Sequence, residues 1–575
     1  MKYQWSIPPE EVLLAATIGR AAGVSTIAAQ CLVNRGQTAP EAVQHFLAPR
    51  LQQLADPFLL PDMAAAVQRL WRAREQREPL VIFGDYDVDG VTSTALLAEF
   101  LTTLGWQAHH YLPNRMEEGY GLSRDGVENC LAQFPAKLLL AVDCGSTSGQ
   151  IIAELQQRGV DVMVLDHHQL DGGRPPAVAV VNPQLAATPG SGKVPGVELC
   201  SVGLAFKLAH ALVKRGRELN LREFLNFDIR SFLDLVALGT VADQVPLTGE
   251  NRILLVAGLE RLNRTLRPGL VALKSVAQVQ ETVGVYEVGF QLGPRLNAAG
   301  RLETANAALR LLLARTTAEA MPLAASLDAC NRERQTIEKK LADELASKIR
   351  ARFNPATDYV IVEGDASWHI GVVGIVASRI LQEFYRPTIV LGGDGDHWRG
   401  SGRSIEGFDL AQALRECDAL LLRHGGHSMA AGVSIRPDQV DNFRQRLNEI
   451  ARRQLGVEPP RPRLRLDVEV ALAQITPALL HELDRLGPFG QQNPPVHFYV
   501  RNLVNSRAPQ RMGREQQHLK LWVTSGDQTV EAVWWNAARL DWPTGKFALA
   551  VAPQLNHYRG TTTVQLKILD WRAEP

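Results

Sequence analysis

The 575-residue sequence predicts an α/β protein: a parallel-sheet domain, a long helix leading into a second α/β domain, and a C-terminal β-barrel. Three observations predict it. From residue 79, short apolar runs (LVIF, KLLLAV, VDVMVL) alternate with amphipathic stretches, the pattern of βαβ units in a parallel sheet. Residues 323–354 contain neither Pro nor Gly, and apolar residues recur there at helical spacing among many charges. From about 461 onward, runs such as HLKLWVTS, TVEAVWWN and TTTVQLKILDW alternate as the strands of a small barrel do.

In order, residues 1–75 read as short helices with turns at Pro40, Pro49 and Pro61 and carry no evident chemistry. LVIFGDYDVDG is a strand ending in acids and Gly, and a helix follows over 91–104. WQAHHYLP and KLLLAVDCG are the next strands, GQIIAELQQRG is a helix stopped by Gly, and VDVMVLDHH is a fourth strand. Residues 200–270 read as largely helical. DYVIVEGDASWHIGVVGIVASRI opens the second α/β region with a strand, a Gly-punctuated turn and a helix, and GVEPPRPRLR reads as a linker. The expected divisions are a helical segment at 1–75, the parallel-sheet domain at 76–320, a connecting helix at 321–354, a second α/β domain at 355–455 and the barrel at 461–575.

Lys+Arg and Asp+Glu both number 61, so overall charge gives no argument for nucleic acid. From 461 onward the balance is mildly basic, and five of the ten Trp residues (Trp522, Trp534, Trp535, Trp542 and Trp571) fall there. Barrels of the OB type bind single strands by stacking bases on aromatics and tracking phosphates with cations. Most of these Trp are expected in the barrel core, and strand alternation lets only one of Trp534 and Trp535 face in. The six cysteines form no CxxC pair, which fits reduced thiols. MKYQWSIPPEE has neither a basic n-region nor an apolar h-region, and no apolar run is long enough for a membrane span, so the cytoplasm is the expected location.

The strongest constellation is acidic. Asp85, Asp87 and Asp89 alternate in GDYDVDG, and alternation at a strand end would point them the same way. Asp143 follows LLLAV, and Asp166-His167-His168 follows VMVL. Ligands of parallel sheets collect at such strand ends. Asp243, in LGTVADQVPL, is a further acid after an apolar stretch. Crowded carboxylates repel unless protonated or neutralised by cations; their oxygens suit Mg²⁺ and Mn²⁺, and an added imidazole shifts the preference towards Mn²⁺ over Mg²⁺ or Ca²⁺. A lone DxD is more often a helix cap and a lone His pair more often structural; it is the set that argues for metal. An EF-hand fails, because position 12 counted from Asp85 is Leu96, not Glu.

GDYDVDGVTS, AVDCG, LDHH and GTVADQVPL resemble the four successive motifs of the DHH phosphoesterases. GFQLGPRLNAAGRL, SWHIGVVGIVASRI, GSGRSIEGFDL and HGGHSMAAGVSI are similar to motifs of the RecJ family and its DHHA1 domain, in order over nearly the whole chain. The resemblance implies a two-metal (Mn²⁺ or Mg²⁺) 5′→3′ exonuclease releasing nucleoside 5′-monophosphates from single-stranded DNA, acting in repair and recombination, mismatch repair included, beside helicase and single-strand-binding partners. It implies Asp87, Asp89, Asp143, His167 and Asp243 as metal ligands, with Asp143 bridging, Asp85 as an added candidate, and His168 facing substrate phosphate. Many relatives carry a His four residues before Asp87, where this chain has Phe83. The resemblance also points to Arg115, Ser401 and Arg403 as a pocket for a terminal phosphate, and to Asn297, Arg301 and His427 as substrate contacts; His369 could be another or be structural. Two glycines before His427, with a helix expected to follow, would let backbone N–H groups approach phosphate. The rival readings are a DHH phosphodiesterase for short oligonucleotides or cyclic dinucleotides, and a catalytically inactive strand-binding relative. The third domain disfavours the first and the intact acids disfavour the second.

Overall fold

The computed structural model describes residues 3–574 except 116, 120, 171–172, 188–193, 281, 303, 394, 457, 459 and 559. The chain divides into two units, Trp5–Asp328 with Arg465–Pro575, and Ala329–Leu464.

The first unit is built on a five-stranded parallel sheet. Its strands are β1 (Leu80–Phe83), β2 (Ala108–Tyr111), β3 (Leu138–Val142), β4 (Asp161–Leu165) and β5 (Ala179–Val181), in the order β2-β1-β3-β4-β5. Helices cover both faces of such a sheet, so its central strands are apolar throughout; every residue of β1 and β3 is buried. Helix α1 (Val88–Thr103) follows β1, and α2 (Ser201–Glu218) and α3 (Leu233–Ala242) pack against it. α3 is apolar nearly all round, as a helix enclosed on every side must be. The helix over Thr317–Arg350 (α4) contains Pro322 in its second turn, where the missing N–H forgoes the hydrogen bond to the Ala318 carbonyl, and runs on into the second unit.

The second unit carries a mixed sheet ordered β9-β10-β8-β7-β6, from β6 (Ile361–Gly364), β7 (Thr388–Gly392), β8 (Trp398–Arg403), β9 (Arg423–Gly426) and β10 (Ala430–Ile435). Only β6 and β7 are parallel, joined through helix α5 (Val373–Phe384). Helix α6 (Val440–Leu455) closes this core through Phe443, Leu447 and Ile450.

The C-terminal strands β11 (Phe498–Asn505), β12 (His518–Ser525), β13 (Gln528–Trp534), β14 (Phe547–Tyr558) and β15 (Thr561–Ala573) form a ring. Pairing runs β11-β14-β15-β13-β12 and returns to β11 through Val504 opposite Thr524, with β13 and β15 parallel. Numbered in chain order the ring reads 1-2-3-5-4-1, the closed Greek-key circuit of an OB barrel. Trp534 packs on the barrel core and Trp535 is exposed, as alternation requires.

After a short strand at Gln4–Ser6, the described residues up to 75 are mainly helical, and their helices serve two cores. Ile18, Leu32, Val43 and Phe46, from the helices Val12–Ala22, Thr26–Val33 and Pro40–Leu47, share one core with Val500, Leu521 and Leu549 of the barrel. The helix Met63–Glu75 packs instead against the parallel sheet. Pro40, expected in a turn, is the first residue of a helix, a position where its fixed φ suits the entry. Among the described residues no single helix is long and apolar enough to cross a membrane.

Candidate metal centre and phosphate-binding residues

The acids gather at the carboxyl ends of β1, β3 and β4, but not through strand alternation. The helix starts at Val88. Asp87 is its N-cap, accepting from the Gly90 N–H at 3.1 Å, and Asp89 lies in its first turn. The expected alternation therefore fails for Asp89. Helical geometry turns it towards α2, whose first N–H groups, Ser201 and Val202, donate to its two oxygens at 2.7 and 2.9 Å. Asp143 takes a left-handed conformation (φ 63°) just after β3 and accepts from Ser201 Oγ at 2.8 Å.

Three overlapping donor groups result, with the chosen ligand atoms of each within 4.8 Å of one another. They are Asp85/Asp87/Asp143, Asp89/His167/Asp243 and Asp143/His167/His168. Asp143 belongs to two of them. His167 Nε2 stands 3.5 Å from both Asp143 Oδ1 and Asp243 Oδ2, and 3.9 Å from Asp89 Oδ2.

Electrostatics tests whether cations fit here. Burial, then neighbouring carboxylates, drive Asp85 and Asp143 well above the ordinary carboxylate range. The same two causes push Asp89 to about 7 and Asp243 to about 9. Burial lowers His167 to about 4, so its imidazole is neutral, the form that binds metal. Asp85 Oδ1 and His167 Nε2 are buried without a hydrogen-bond partner. A cluster of acids held out of water, with orphaned donor atoms, fits hard divalent cations. Phe83 cannot stand in for a histidine: it is fully buried and stacks on Tyr111 at 5.6 Å. Asp85 groups instead with Asp87 and Asp143.

Asp166 behaves differently. Burial would raise it, but the hydrogen bond and charge of His168 outweigh burial and hold it below the usual range. It accepts from the N–H groups of Ser146, His167 and His168 at 3.1, 2.8 and 3.2 Å, and from His168 Nδ1 at 2.7 Å. Burial pulls His168 down, yet Asp166 brings it up to about 9, so an imidazolium faces the cleft. Ser201, Ser146 and Asn182, which donates to Ser146 Oγ and the His168 carbonyl at 2.9 Å each, escaped the sequence reading. Only the helix start at Ser201 leaves a sequence trace, and nothing in it points to distant acids.

Of the substrate residues in the first unit, the Arg115 guanidinium lies over the Tyr86 ring at 5.0 Å, and the charges of Arg115 and Arg301 both act on the Tyr86 hydroxyl. Arg301 and Asn297 lie one turn apart on the helix Gly293–Leu302. That helix meets the acidic loop so closely that a Cβ on Gly300 would be 2.8 Å from the Tyr86 carbonyl oxygen.

In the second unit, Arg403 Nη1 donates to Ser401 Oγ at 2.7 Å on β8. A Cβ on Gly374, in the first turn of α5, would lie 3.0 Å from Ser401 Oγ and 3.2 Å from Arg403 Nη2. A hydroxyl and a guanidinium thus lie beside a helix N-terminus, groups whose chemistry suits an anion. His369 Nδ1 accepts from the Gly371 N–H at 3.1 Å, and the ring is partly exposed. His427 is exposed in the turn between β9 and β10, its N–H donating to the Ala430 carbonyl at 2.8 Å. A strand follows it, not the expected helix, so no helix dipole acts there.

Comparison with known proteins agrees with this geometry. Family models match for the DHH family N-terminal domain (residues 79–240), the DHHA1 domain (357–453) and the RecJ OB domain (466–570). The chain is 35% identical over 579 residues to the single-stranded-DNA-specific exonuclease RecJ of Bacillus subtilis, covering 99% of this chain and 71% of that one. RecJ of Thermus thermophilus in complex with Mn²⁺ superposes with a TM-score of 0.85 at 31% identity, covering 100% of this chain and 80% of the other. Its complex with Mg²⁺ gives 0.79 at 29% identity, covering 100% and 79%. With three domain models in order, near-complete coverage and the acids of all four motifs in one cleft, the chain belongs to the RecJ family of DHH/DHHA1 phosphoesterases.

Proposed function

We propose that this chain is an exonuclease that hydrolyses single-stranded DNA from the 5′ end, releasing nucleoside 5′-monophosphates, with Mn²⁺ or Mg²⁺ as cofactor. The observation that carries this reading is the three overlapping donor groups, two of which share Asp143, beside His168 held by Asp166 at 2.7 Å. Asp85, Asp87, Asp89, Asp143, His167 and Asp243 would hold two divalent cations. The chemistry such cations supply is an acidified water and compensation of charge on the phosphate.

The protein groups do the rest. Water forms a new bond to phosphorus and the P–O3′ bond breaks, leaving a fresh 5′-phosphate on the shortened strand. His168, held by Asp166, offsets charge building up on the phosphoryl oxygens. The α2 N-terminus fixes Asp89, and Ser201 Oγ fixes Asp143. Arg115 and Arg301 in the first unit, and Ser401 and Arg403 in the second, take phosphates of the strand, with Asn297 and His427 as further contacts. A 5′-phosphate carries more charge than an internal diester, and it is regenerated each cycle, so the same phosphate contacts serve every turn.

This reading carries cytoplasmic action in DNA repair, recombination and mismatch repair, beside a helicase and a single-strand-binding protein that expose and present the strand. The sequence divisions at 76–320, 321–354, 355–455 and 461–575 remain our domain assignment. Digestion of an oligonucleotide labelled at either end, in Mn²⁺, Mg²⁺ or EDTA and beside its duplex, tests it. Stepwise mononucleotide release from the 5′ end of the single strand, abolished by EDTA, is expected; release from the 3′ end, or equal attack on duplex, refutes it.

A further inference from the structure

Residues 285–302 form one helical run in three parts: a turn at Val285–Glu287, a wide π turn at Val288–Leu292 and the helix Gly293–Leu302. Its middle is anchored. Val288 and Leu292 are buried in the core of the first unit, and Gly289 and Gly293 lie against Val241 and Ala242, the residues just before Asp243. Its C-terminal end carries Asn297 and Arg301. Its N-terminal end carries two large aromatics that the core does not use. Tyr286 is 63% exposed and Phe290 70% exposed, with rings stacked at 5.0 Å and 28°.

Two stacked rings left in water on a helical run packed against the residues that precede Asp243 need a reason, since each forgoes apolar burial. π turns occur often at functional sites, where the extra residue re-aims side chains. Phe290 stands eleven residues before Arg301, about 16 Å along a helix of ordinary rise. A strand whose backbone is read by Arg301 thus has flat apolar surface within reach on the same element.

We propose that Tyr286 and Phe290 form a stacking platform for an unpaired base of the substrate strand. This rests on the exonuclease reading above and goes further, by naming what the enzyme reads besides phosphate. Every base offers a π face, so the contact tolerates any sequence. In a duplex those faces are stacked and paired inside the helix, so the platform rewards only single strands.

The experiment uses the full chain, with single-stranded oligonucleotides carrying one 2-aminopurine at successive positions. Binding is read in Asp143→Asn protein and turnover in active protein. One or two positions should show stacking-dependent quenching, and the double variant Tyr286→Ala/Phe290→Ala should erase it. Removing each ring should raise KM for the oligonucleotide about tenfold, with kcat nearly constant, and Phe290→Trp should restore binding. If the wild type binds and cuts single strands while the double variant keeps its quenching map and KM, the platform is refuted and the exonuclease reading stands. A wild type that neither binds nor cuts sinks both.

Discussion

Glu363 in the second unit is 2% exposed, and its carboxylate is surrounded by Lys348 at 3.1 Å, Arg444 at 3.8 Å and an ion-paired Arg352. In the first unit Asp85, Asp89 and Asp143 are equally buried, and among the described residues none is paired to a lysine or arginine. Taking a carboxylate out of water is costly in either place. Glu363 receives its counter-charge from its own chain and is therefore architecture. The aspartates keep their deficit, which is a demand for cations from solution. Burial alone does not mark a functional acid; burial without a protein cation does.

Removing one acid from each centre would break or sharpen that contrast. The largest effect is expected from Asp143→Asn, which keeps the shape and tolerates the left-handed backbone. Hydrolysis should fall on the order of 10³-fold, while thermal melts in EDTA stay unchanged or improve as repulsion is relieved. Retained turnover would end the role given to Asp143. Next, Mn²⁺ at one hundred times its Kd should stabilise the wild type by about 2.7 kcal/mol. That gain should collapse in Asp143→Asn and survive in Glu363→Gln, read as shifts of the melting transition. Glu363→Gln should cost about 1–3 kcal/mol, the lower range because Lys348 and Arg352 are half exposed. Urea unfolding followed by fluorescence would show it, and undiminished stability would make Glu363 ornamental.

The smallest effect is a slope with pH. Without metal, folded Asp243 and His168 both titrate near 9, whereas in the unfolded chain their ordinary values lie lower. Between pH 7 and 9 the folded protein therefore holds protons that the unfolded chain has released. The His168 contribution is fully present below 6.5 and lost as pH rises to about 9, whereas that of Asp243 is lost over the wider range from 3.8 to about 9, so both decline between pH 7 and 9. Melting temperatures in EDTA should fall from pH 7 to 9, and a rise over that range would contradict the charge pattern drawn here.

The metal centre was legible because its acids sit within a few residues of the apolar strands that position them: LLLAV before Asp143, VMVL before Asp166. What escaped was whatever depends on distant chain. Alternation in DYDVDG suggested a strand, but the Asp87 cap starts a helix and sends Asp89 to Ser201, 112 residues away. The barrel's strands were legible from periodicity, whereas its closure through Val504 and Thr524 was not. The two glycines before His427 looked like a helix entry, and only pairing with β10 shows a hairpin. Glu363 gave no signal, since its cations come from α4 and α6 and the turn after α4.

The core shared by the N-terminal helices and the barrel has a consequence for synthesis. Asn34 donates to the Asp467 carbonyl, 433 residues further along. At roughly 5–20 residues per second, the ribosome needs about 20 to 90 seconds to make that stretch. For most of it, Ile18, Leu32 and Phe46 are already synthesised and their barrel partners are not. The start of this chain is thus a natural client for a ribosome-associated chaperone, and an abortive product lacking the barrel carries a sticky N-terminus that proteases can recognise.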